Sequence, residues 1–243
     1  MQLELDISDW LSRQIYYYGT HEPSTTTFLQ RRWQDPKLRV VYDVGSNIGF
    51  YAIMAAVILR HRGIVEGFEP VPKVFNRLQS NLSLNALPNL RIHPLAVAES
   101  AGTMQLYVSD GLDDISSVSK KHVERASSCK GTPRVLTVPK NSLDTLLEQK
   151  GAQPPNLIRM DIELGEQLAL QGMTQTLKNY SPDIVVEVLP EAAEKLEEIF
   201  EKLNYKTYWI DPDGWLQPRE MTHIPSGFNW YATRGSAAAY MHK

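Results

Sequence analysis

Apolar runs recur between residues 40 and 233, and segments with helical spacing separate most of them. The predicted strands cover residues 40–44, 64–68, 90–97, 103–108, 134–138, 156–162, 183–188, 206–210 and 228–233. The predicted helices cover residues 53–59, 72–85, 142–149, 165–177 and 190–203. Strands that alternate with helices predict a mainly parallel sheet covered by helices on both faces. The last two strands are expected to form a hairpin joined by residues 211–227.

The first 33 residues lie outside this alternation and predict an N-terminal helical extension that acts as a lid. Ser8 or Asp6 is a suitable cap for a first short helix, because its side-chain oxygen can accept a bond from a free amide of the first turn. Residues 21–27 predict a loop before a second short helix. We therefore expect an extension over residues 1–33 and one large domain over residues 34–243.

Residues 109–133 are rich in Ser, Lys, Asp and Gly and have no sustained periodicity. A structureless segment of this length is unusual in a compact domain unless it forms a lid. We therefore predict a long loop here. Together with residues 15–28 and 211–228, it is expected to contact a substrate.

Composition and charge exclude several classes of protein. The chain has 243 residues, of which 42% are hydrophobic and 22% are charged, and its net charge is −3. This charge gives no indication of a nucleic-acid or anionic-membrane partner. Cys129 is the one cysteine, which excludes an internal disulfide and favours a reducing compartment. With no signal-peptide pattern and no apolar stretch of about 20 residues, the expected location is the cytoplasm.

A strand, a glycine turn and a helix follow one another at residues 40–59. The strand ends at Asp43-Val44, and Gly45, Asn47 and Gly49 follow in the turn. An acid, Glu69, closes the next predicted strand twenty residues after Gly49. This order is typical of α/β nucleoside sites, where the backbone approaches the ligand and a carboxylate binds the ribose. The alternative is a structural turn in another α/β protein.

The residues of this turn indicate which nucleoside is bound. A dinucleotide site has glycine at the middle position, where this chain has Asn47. Asp43 would repel a pyrophosphate but would suit a ligand with an ammonium group. S-adenosylmethionine has an ammonium, a sulfonium, a ribose and no phosphate, so it is the predicted cofactor. A nicotinamide-dependent oxidoreductase is a weaker alternative.

Five acids are predicted at the carboxyl ends of the strands, where ligands bind in open α/β sheets. They are Asp43, Glu69, Asp161, Glu163 and Glu187, and the region of Ala96 lies at the same edge. Clustered carboxylates are costly unless cations or hydrogen-bond donors meet them. A cationic cofactor, a metal ion or both would meet this need. The alternatives are structural: turn or helix capping for Asp43 and Asp161, solvation for Glu187 and core packing for Ala96.

Together these segments resemble the FkbM family of S-adenosylmethionine-dependent methyltransferases. The matching segments are residues 22–26 (EPSTT), 43–51 (DVGSNIGFY), 68–72 (FEPVP), 81–85 (NLSLN), 94–97 (PLAV) and 158–163 (IRMDIE), with Glu166 and residues 170–172 (LQG). The resemblance covers about residues 15–234. It implies a Rossmann-like class I methyltransferase fold, with a mainly parallel seven-stranded sheet, helices on both faces and a C-terminal antiparallel hairpin.

The resemblance also implies roles for individual residues. The expected cofactor site consists of Glu22, Asp43, Gly45, Ser46, Asn47, Gly49, Phe50, Glu69, Pro70, Ala96 and Asp161. The resemblance places Asp161 and Glu163 at the reaction centre. The acids at the strand ends add Glu187 as the third expected catalytic residue, with Asp161 first as base or metal-anchoring acid, and the same three would hold Mg²⁺ if a metal is used. One departure is Leu164, which stands where the family usually has glycine.

The expected reaction is transfer of a methyl group to a hydroxyl of a small molecule, such as a sugar or a secondary metabolite. Ser116, Ser117, Lys120 and Lys121 favour a polar acceptor, although loop lysines are usually only solvated. An oligomer is possible. A non-catalytic S-adenosylmethionine-binding protein of the same fold is the alternative.

Overall fold

The computed structural model describes residues 1–109, 112–126, 132–150, 152–223 and 228–242. The strands in these ranges are β1 (Val40–Val44), β2 (Ile64–Phe68), β3 (Leu90–His93), β4 (Ala96–Val97), β5 (Gly102–Ser109), β6 (Leu112–Ser117), β7 (Arg134–Asn141), β8 (Leu157–Met160), β9 (Asp183–Val188), β10 (Lys206–Ile210), β11 (Leu216–Pro218) and β12 (Phe228–Thr233). The α-helices there are α1 (Trp10–Tyr18), α2 (Pro23–Trp33), α3 (Phe50–Leu59), α4 (Pro72–Ser83), α5 (Lys120–Ala126), α6 (Leu143–Lys150), α7 (Glu166–Gln171), α8 (Thr174–Tyr180) and α9 (Ala193–Lys202).

The main sheet has the order β11-β10-β12-β9-β8-β1-β2-β3. Five neighbouring strands of this sheet are parallel, namely β3, β2, β1, β8 and β9. Each of them lies within one of the predicted apolar runs. From β1 the chain continues to β2 and β3 on one side, whereas β8 and β9 lie on the other. The strand order therefore reverses between β1 and β8, and a reversal of this kind opens a crevice at the carboxyl ends of the strands.

The antiparallel end of the sheet is larger than predicted. Strands β10 and β12 pair antiparallel, as expected for the C-terminal hairpin. The connecting segment, however, contains β11, which pairs with the free edge of β10. The main sheet thus has eight described strands rather than seven. The short β11 run, Leu216–Pro218, is flanked by turn residues and gives no strand pattern in the sequence.

Four strands form a second sheet that was not predicted, in the order β4-β7-β5-β6. The sequence predicted one strand over residues 90–97, but that run divides into β3 and β4, which belong to different sheets. Pro94 lies between them and has no amide hydrogen to donate to a sheet. Leu95 N donates to His93 O at 3.0 Å, which turns the chain there.

The loop predicted over residues 109–133 was wrong for most of its described part. Strand β6 pairs antiparallel with β5, with a register shift at Val108/Ser109, and helix α5 follows. Residues 110, 111 and 127–131, which include Cys129, lie outside the described residues. The polar composition of this segment concealed β6 because the strand lies in the small second sheet rather than in the core.

The helix predicted over residues 165–177 is two helices, α7 and α8, which Gly172 and Met173 separate. A Cβ at Gly172 would lie 1.9 Å from Ala98 O, so the backbone here passes directly against another segment. Helix α9 begins at Ala193 and not at Pro190. Helices α4 and α6 agree with the predicted segments to within two residues.

The N-terminal helices pack against the same face of the main sheet as α3. Asp9, rather than Ser8 or Asp6, caps α1, since its Oδ1 accepts from Ser12 N at 2.6 Å. Helix α2 begins at Pro23, inside the segment predicted as a loop, because proline is well suited to the first helical position. Phe28 and Leu29 of α2 are fully buried in the core cluster that also contains α3. The division of the chain at residue 33 remains a prediction.

Candidate active site

A cleft lies at the reversal between β1 and β8, under the second sheet and the N-terminal helices. Its empty space is about 980 Å³, including the part open to solvent. Its lining residues are Leu11, His21, Val44, Gly45, Ser46, Asn47, Phe50, Tyr51, Phe68, Glu69, Pro70, Val74, Leu95, Ala96, Val97, Met104, Leu106, Ser116, Val118, Arg159, Asp161, Ile162, Glu163, Gly165 and Leu168. Nine of the predicted site residues are among them, whereas Glu22, Asp43, Gly49 and Glu187 are not.

The turn after β1 forms the floor of this cleft. Gly45 has φ +84°, and a Cβ at this position would lie 2.0 Å from Asp161 O, so only glycine fits. Gly45 N and Ser46 N both donate to Phe68 O at the end of β2. The turn is therefore tied to both neighbouring strands, β2 and β8.

Glu69 lies at the edge of the turn, as predicted. Its Oε2 accepts from Asn47 N at 3.0 Å, and its Oε1 accepts from Val71 N at 2.9 Å. Burial raises the pKa of Glu69 to about 7, although both amide bonds lower it. Each carboxylate oxygen retains a second lone pair for a hydroxyl donor in the cleft.

Gly49 does not line the cleft and has a structural role instead. It has φ +95° and precedes α3, and a Cβ there would lie 2.5 Å from Leu78 Cδ1 on α4. The glycine therefore allows α3 and α4 to approach each other. Phe50, the next residue, does line the cleft.

Asp43 is completely buried below the cleft. Its Oδ1 lies 3.4 Å from Arg159 Nη1, and its Oδ2 has no hydrogen-bond partner among the described residues. Burial raises the pKa of Asp43 to about 6, against the lowering effect of Arg159. The sequence analysis expected a bound cation to offset this carboxylate. In the structure, a cation of the chain itself does so.

Arg159 is a functional-site residue that the sequence analysis missed, as are His21 and Tyr51, which also line the cleft. Its Nη2 lies 2.6 Å from Asp161 Oδ2, its Nη1 donates to Gly45 O at 3.0 Å, and its guanidinium lies 4.4 Å from the Tyr51 ring centre. The arginine therefore joins Asp43 to Asp161. Strand alternation places Arg159 and Asp161 on one face, and the pairing of β1 with β8 places Arg159 beside Asp43. That signal was present in the sequence.

Asp161, Glu163 and Glu187 do come together, as the sequence predicted. One carboxylate oxygen of each lies within 4.8 Å of the others. The charge of Asp161, together with burial, raises the pKa of Glu187 well above its ordinary value, so Glu187 holds a proton at neutral pH. Protonated Glu187 and Asp161 share a hydrogen bond. Arg159 lies against Asp161 and His122 lies against Glu163, so two of the three carboxylates already have partners within the chain, and the expectation of Mg²⁺ finds no support.

Glu163 is held by the segment that was predicted as a loop. His122 Nε2, on α5, lies 2.8 Å from Glu163 Oε2, and this bond raises the pKa of His122. Ser117 Oγ donates to the backbone oxygen of Glu163. The second sheet and α5 therefore close one end of the cleft.

The backbone after Glu163 explains the departure at Leu164. Glu163 has φ +52° and Leu164 has φ +74°, in the left-handed region that favours glycine. The leucine adopts the conformation that a glycine would adopt without strain. Helix α7 begins two residues later, and Glu166 Oε1 accepts from Ile162 N at 3.2 Å across this turn.

Glu22 lies at the start of α2 and links three parts of the chain. Its Oε2 accepts from Tyr51 OH at 2.9 Å, and its Oε1 accepts from Asn229 Nδ2 at 2.8 Å. Asn229 lies on β12, opposite Glu187. Glu22 therefore fastens the N-terminal segment across the cleft end of the sheet, and it does not line the cleft itself.

A second group of possible metal ligands, Asp211, Asp213 and His242, lies on the far edge of the sheet. Asp211 Oδ1 accepts from Asp213 N and Trp215 N, so Asp211 organises the turn before β11. Among the described residues, no helix has both the length and the apolar character needed to cross a membrane. The cytoplasmic location remains a prediction.

Solved structures with this architecture define the class of protein. The methyltransferase FkbM from Methylobacillus flagellatus KT has a TM-score of 0.54 at 15% identity, covering 91% of this chain and 52% of that chain. The O-methyltransferase TomG from Streptomyces achromogenes, involved in tomaymycin synthesis and solved with S-adenosylmethionine, has a TM-score of 0.52 at 13% identity, covering 97% and 93%. The fold is that of the class I S-adenosylmethionine-dependent methyltransferases, as predicted.

Sequence comparisons show the family to which the chain belongs. The model of the methyltransferase FkbM domain matches residues 43–208, more than half of the chain. The chain belongs to the FkbM methyltransferase family. A curated relative, the hexuronic acid methyltransferase AglP from Haloferax volcanii, is 30% identical over 176 residues. That match covers 68% of this chain and 66% of the relative, so the chain spans about two thirds of the relative's length.

Proposed function

We infer that this chain transfers a methyl group from S-adenosylmethionine to a hydroxyl of a small, sugar-like acceptor. The observation that carries this proposal is the position of Glu69. Two backbone amides fix both oxygens of its carboxylate at the edge of the glycine turn. A carboxylate held in this way is suited to the two hydroxyls of a ribose.

The residues of the cleft fit S-adenosylmethionine, which supplies a methyl group already activated by a sulfonium. Gly45 and Asn47 would hold it along the turn, and Glu69 would bind the ribose. Pro70 and Ala96 would line the wall beside the nucleoside. The unpartnered Oδ2 of Asp43 lies below the turn, where a buried water molecule would satisfy it.

The acid cluster would hold the acceptor. We assign Asp161, Glu163 and Glu187 to this end of the cleft, where protonated Glu187 can donate a hydrogen bond and Asp161 can accept one. Alignment of the acceptor oxygen with the methyl group can supply about 7–11 kcal/mol of the barrier reduction. We propose that the N-terminal segment acts as a lid at this end, where it would exclude water together with α5.

Two observations support a proposal for the class of acceptor. The printed name of the Haloferax relative specifies hexuronic acid, and that relative is 30% identical to this chain. Arg159 in the cleft and His122 beside it pair with Asp161 and Glu163, and they are basic groups that an acidic sugar could also contact. We therefore propose a uronic acid or a related hydroxylated sugar as acceptor.

Calorimetry with S-adenosylmethionine and S-adenosylhomocysteine tests the donor site. Glu69→Gln should weaken binding of both ligands by about tenfold or more, because loss of a charged hydrogen bond costs about 1.5–3 kcal/mol. The matched control is Glu198→Gln on the outer face of α9, which should bind like the wild type. Unchanged binding by Glu69→Gln would contradict the site. Binding without turnover of any sugar acceptor would favour the non-catalytic alternative.

A further inference from the structure

The acids of the cleft are poorly suited to remove a proton from an acceptor hydroxyl. Asp161 is paired with Arg159, Glu163 is paired with His122, and Glu187 already holds a proton. Glu69 accepts from two backbone amides at the other end of the cleft. Among the described cleft residues, a free base must therefore be sought outside the acid cluster.

His21 meets this requirement. It lies between α1 and α2, lines the cleft, and has a side chain that is only 11% exposed. Its ring contacts three aromatic rings, those of Trp10 at 5.5 Å, Phe50 at 6.2 Å and Tyr51 at 6.0 Å between centroids. Its Nδ1 is buried and has no hydrogen-bond partner among the described residues. A buried unpaired nitrogen costs about 1–3 kcal/mol, so a donor entering the cleft would remove that penalty.

A carboxylate orients the imidazole from the other side. Glu22 Oε2 lies 3.9 Å from His21 Nε2, a distance of the kind that often shortens when substrate binds. Tyr51 and Asn229 each donate to Glu22, and Glu22 itself has φ +44°. Backbone strain in a non-glycine residue persists only where its surroundings enforce it. A proton on Nε2 would face Glu22, which leaves Nδ1 free to accept.

The groups around His21 keep it neutral. Burial lowers the pKa of His21 below its ordinary value, and Arg159 lowers it further, while Glu22 and Asp161 raise it. The remaining ring neighbours, Trp10, Phe50 and Tyr51, carry no charge at neutral pH. The imidazole is therefore available as a base at neutral pH, where the acids are paired with cationic groups or protonated.

We propose that His21 is the general base of the methyl transfer, that Nδ1 takes the proton of the acceptor hydroxyl, and that Glu22 is its positioning residue. This inference rests on the proposed function. In the step, the acceptor O–H bond breaks and its proton goes to Nδ1. The oxygen forms a bond to the donor methyl carbon, and the pair of the S–C bond remains on sulfur, which gives S-adenosylhomocysteine. The imidazolium is then stabilised by Glu22 and Asp161.

The test measures S-adenosylhomocysteine formation by the full chain with the methyl glycosides of glucuronic acid, galacturonic acid and glucose. His21→Gln should lower kcat by about 10²–10⁴-fold, the usual contribution of a general base, while calorimetric binding of S-adenosylmethionine stays close to wild type. His21→Ala should be equally slow and should recover activity when imidazole is added. The control is His61→Gln, an exposed histidine before β2 at the opposite edge of the sheet, which should match the wild type.

The pH profile of kcat tests separately whether Glu22 positions His21. In the wild type, kcat should rise with pH to a plateau as His21 loses its proton. Glu22→Gln removes a charge that raises the pKa of His21, so the rise should move to lower pH as kcat falls. A fall in kcat with an unmoved profile would overturn this role.

Each other outcome also decides the question. A His21→Gln variant that retains wild-type kcat would overturn the inference and leave the proposed function intact. If His21→Ala is stable in thermal melts but imidazole does not rescue it, His21 is not the base. If the wild type binds the donor but methylates no sugar, the proposed function fails in favour of the non-catalytic alternative, and this inference fails with it.

Discussion

Buried carboxylates lie at both ends of the cleft, but different partners stabilise them. At the donor end, Glu69 receives two amide hydrogen bonds from residues within 22 positions of it in the chain. At the acceptor end, Asp161 is paired with the guanidinium of Arg159 two residues before it, Glu163 is paired with an imidazole from α5, and Glu187 on β9 shares a proton with Asp161. The donor end is therefore defined by local backbone geometry, whereas side-chain chemistry across the fold defines the acceptor end.

The two ends of the cleft should therefore differ in how well they tolerate substitution. Backbone amides remain in place when side chains change, so a site built from them tolerates substitution around it. A network of paired side chains depends on each member, because removal of one partner leaves another charge buried. The acceptor end should accordingly be the part of the molecule where single substitutions have large and coupled effects.

The largest effect is expected for Arg159→Met, which breaks the charge network. Asp43 would be left buried without its cation, and breaking a buried pair from one side typically costs about 3–5 kcal/mol. Urea unfolding should show this loss of stability. The double variant Asp43→Asn with Arg159→Met should recover part of it, because the unpaired charge is then absent. Equal stability of the single variant and the wild type would show that the pair is not needed.

A smaller effect is expected from the titration of Glu69. Its pKa of about 7 means that the carboxyl is largely protonated below that pH, and a protonated carboxyl has lost acceptor capacity. Donor binding favours the ionised form and so lowers this pKa. Affinity for S-adenosylhomocysteine should thus rise as pH increases to about 7 and level off above it, by up to about tenfold per pH unit.

Calorimetry between pH 5.5 and 8.5 provides the measurement. The Glu69→Gln variant cannot titrate here, so the rise near pH 7 should disappear. Any remaining change at lower pH would belong to Asp43, whose pKa is about 6, or to His21, whose pKa is lowered by burial. A wild-type affinity that is flat across the range would contradict the role of an ionised Glu69.

The smallest effect is expected for Leu164→Gly at the entry to α7. Glycine relieves the strain of φ +74°, worth about 1–2 kcal/mol, but it increases the freedom of the unfolded chain by about 0.5–1 kcal/mol. The free energy of unfolding should therefore stay within about 1 kcal/mol of wild type. Ser181→Gly, at another left-handed position, is the matched control. A loss of several kcal/mol would mean that the Leu164 side chain stabilises the cleft.

The sequence predicted the donor half of the site better than the acceptor half. The turn from Gly45 to Asn47 and the acid Glu69 lie where the spacing placed them, because a strand, a turn and a helix are formed from contiguous residues. The acids 161, 163 and 187 were correctly grouped, since parallel strands end at one edge. The protonation of Glu187 and the pairing of Glu163 with His122 were not foreseen, because they depend on burial and on the position of α5. The pairing of Asp161 with Arg159 was present in the strand alternation but was missed.

Prediction of the fold likewise succeeded for features encoded by contiguous residues and failed for features that depend on distant contacts. Apolar runs predicted the parallel strands, since burial on both faces requires continuous hydrophobic residues. The second sheet was missed because β6 is polar and β4 has only two residues. The break between α7 and α8 was missed because it arises from contact of Gly172 with a distant carbonyl.

The sequence by itself determined the parallel α/β framework, the glycine turn and the acid that follows β2, because local spacing encodes each of them. The tertiary structure decided which charges meet. Arg159 joins Asp43 across 116 residues of chain, and Glu22 joins Asn229 across 207. Burial then sets the protonation of each carboxyl group, and burial is a property of the folded molecule that no local pattern contains.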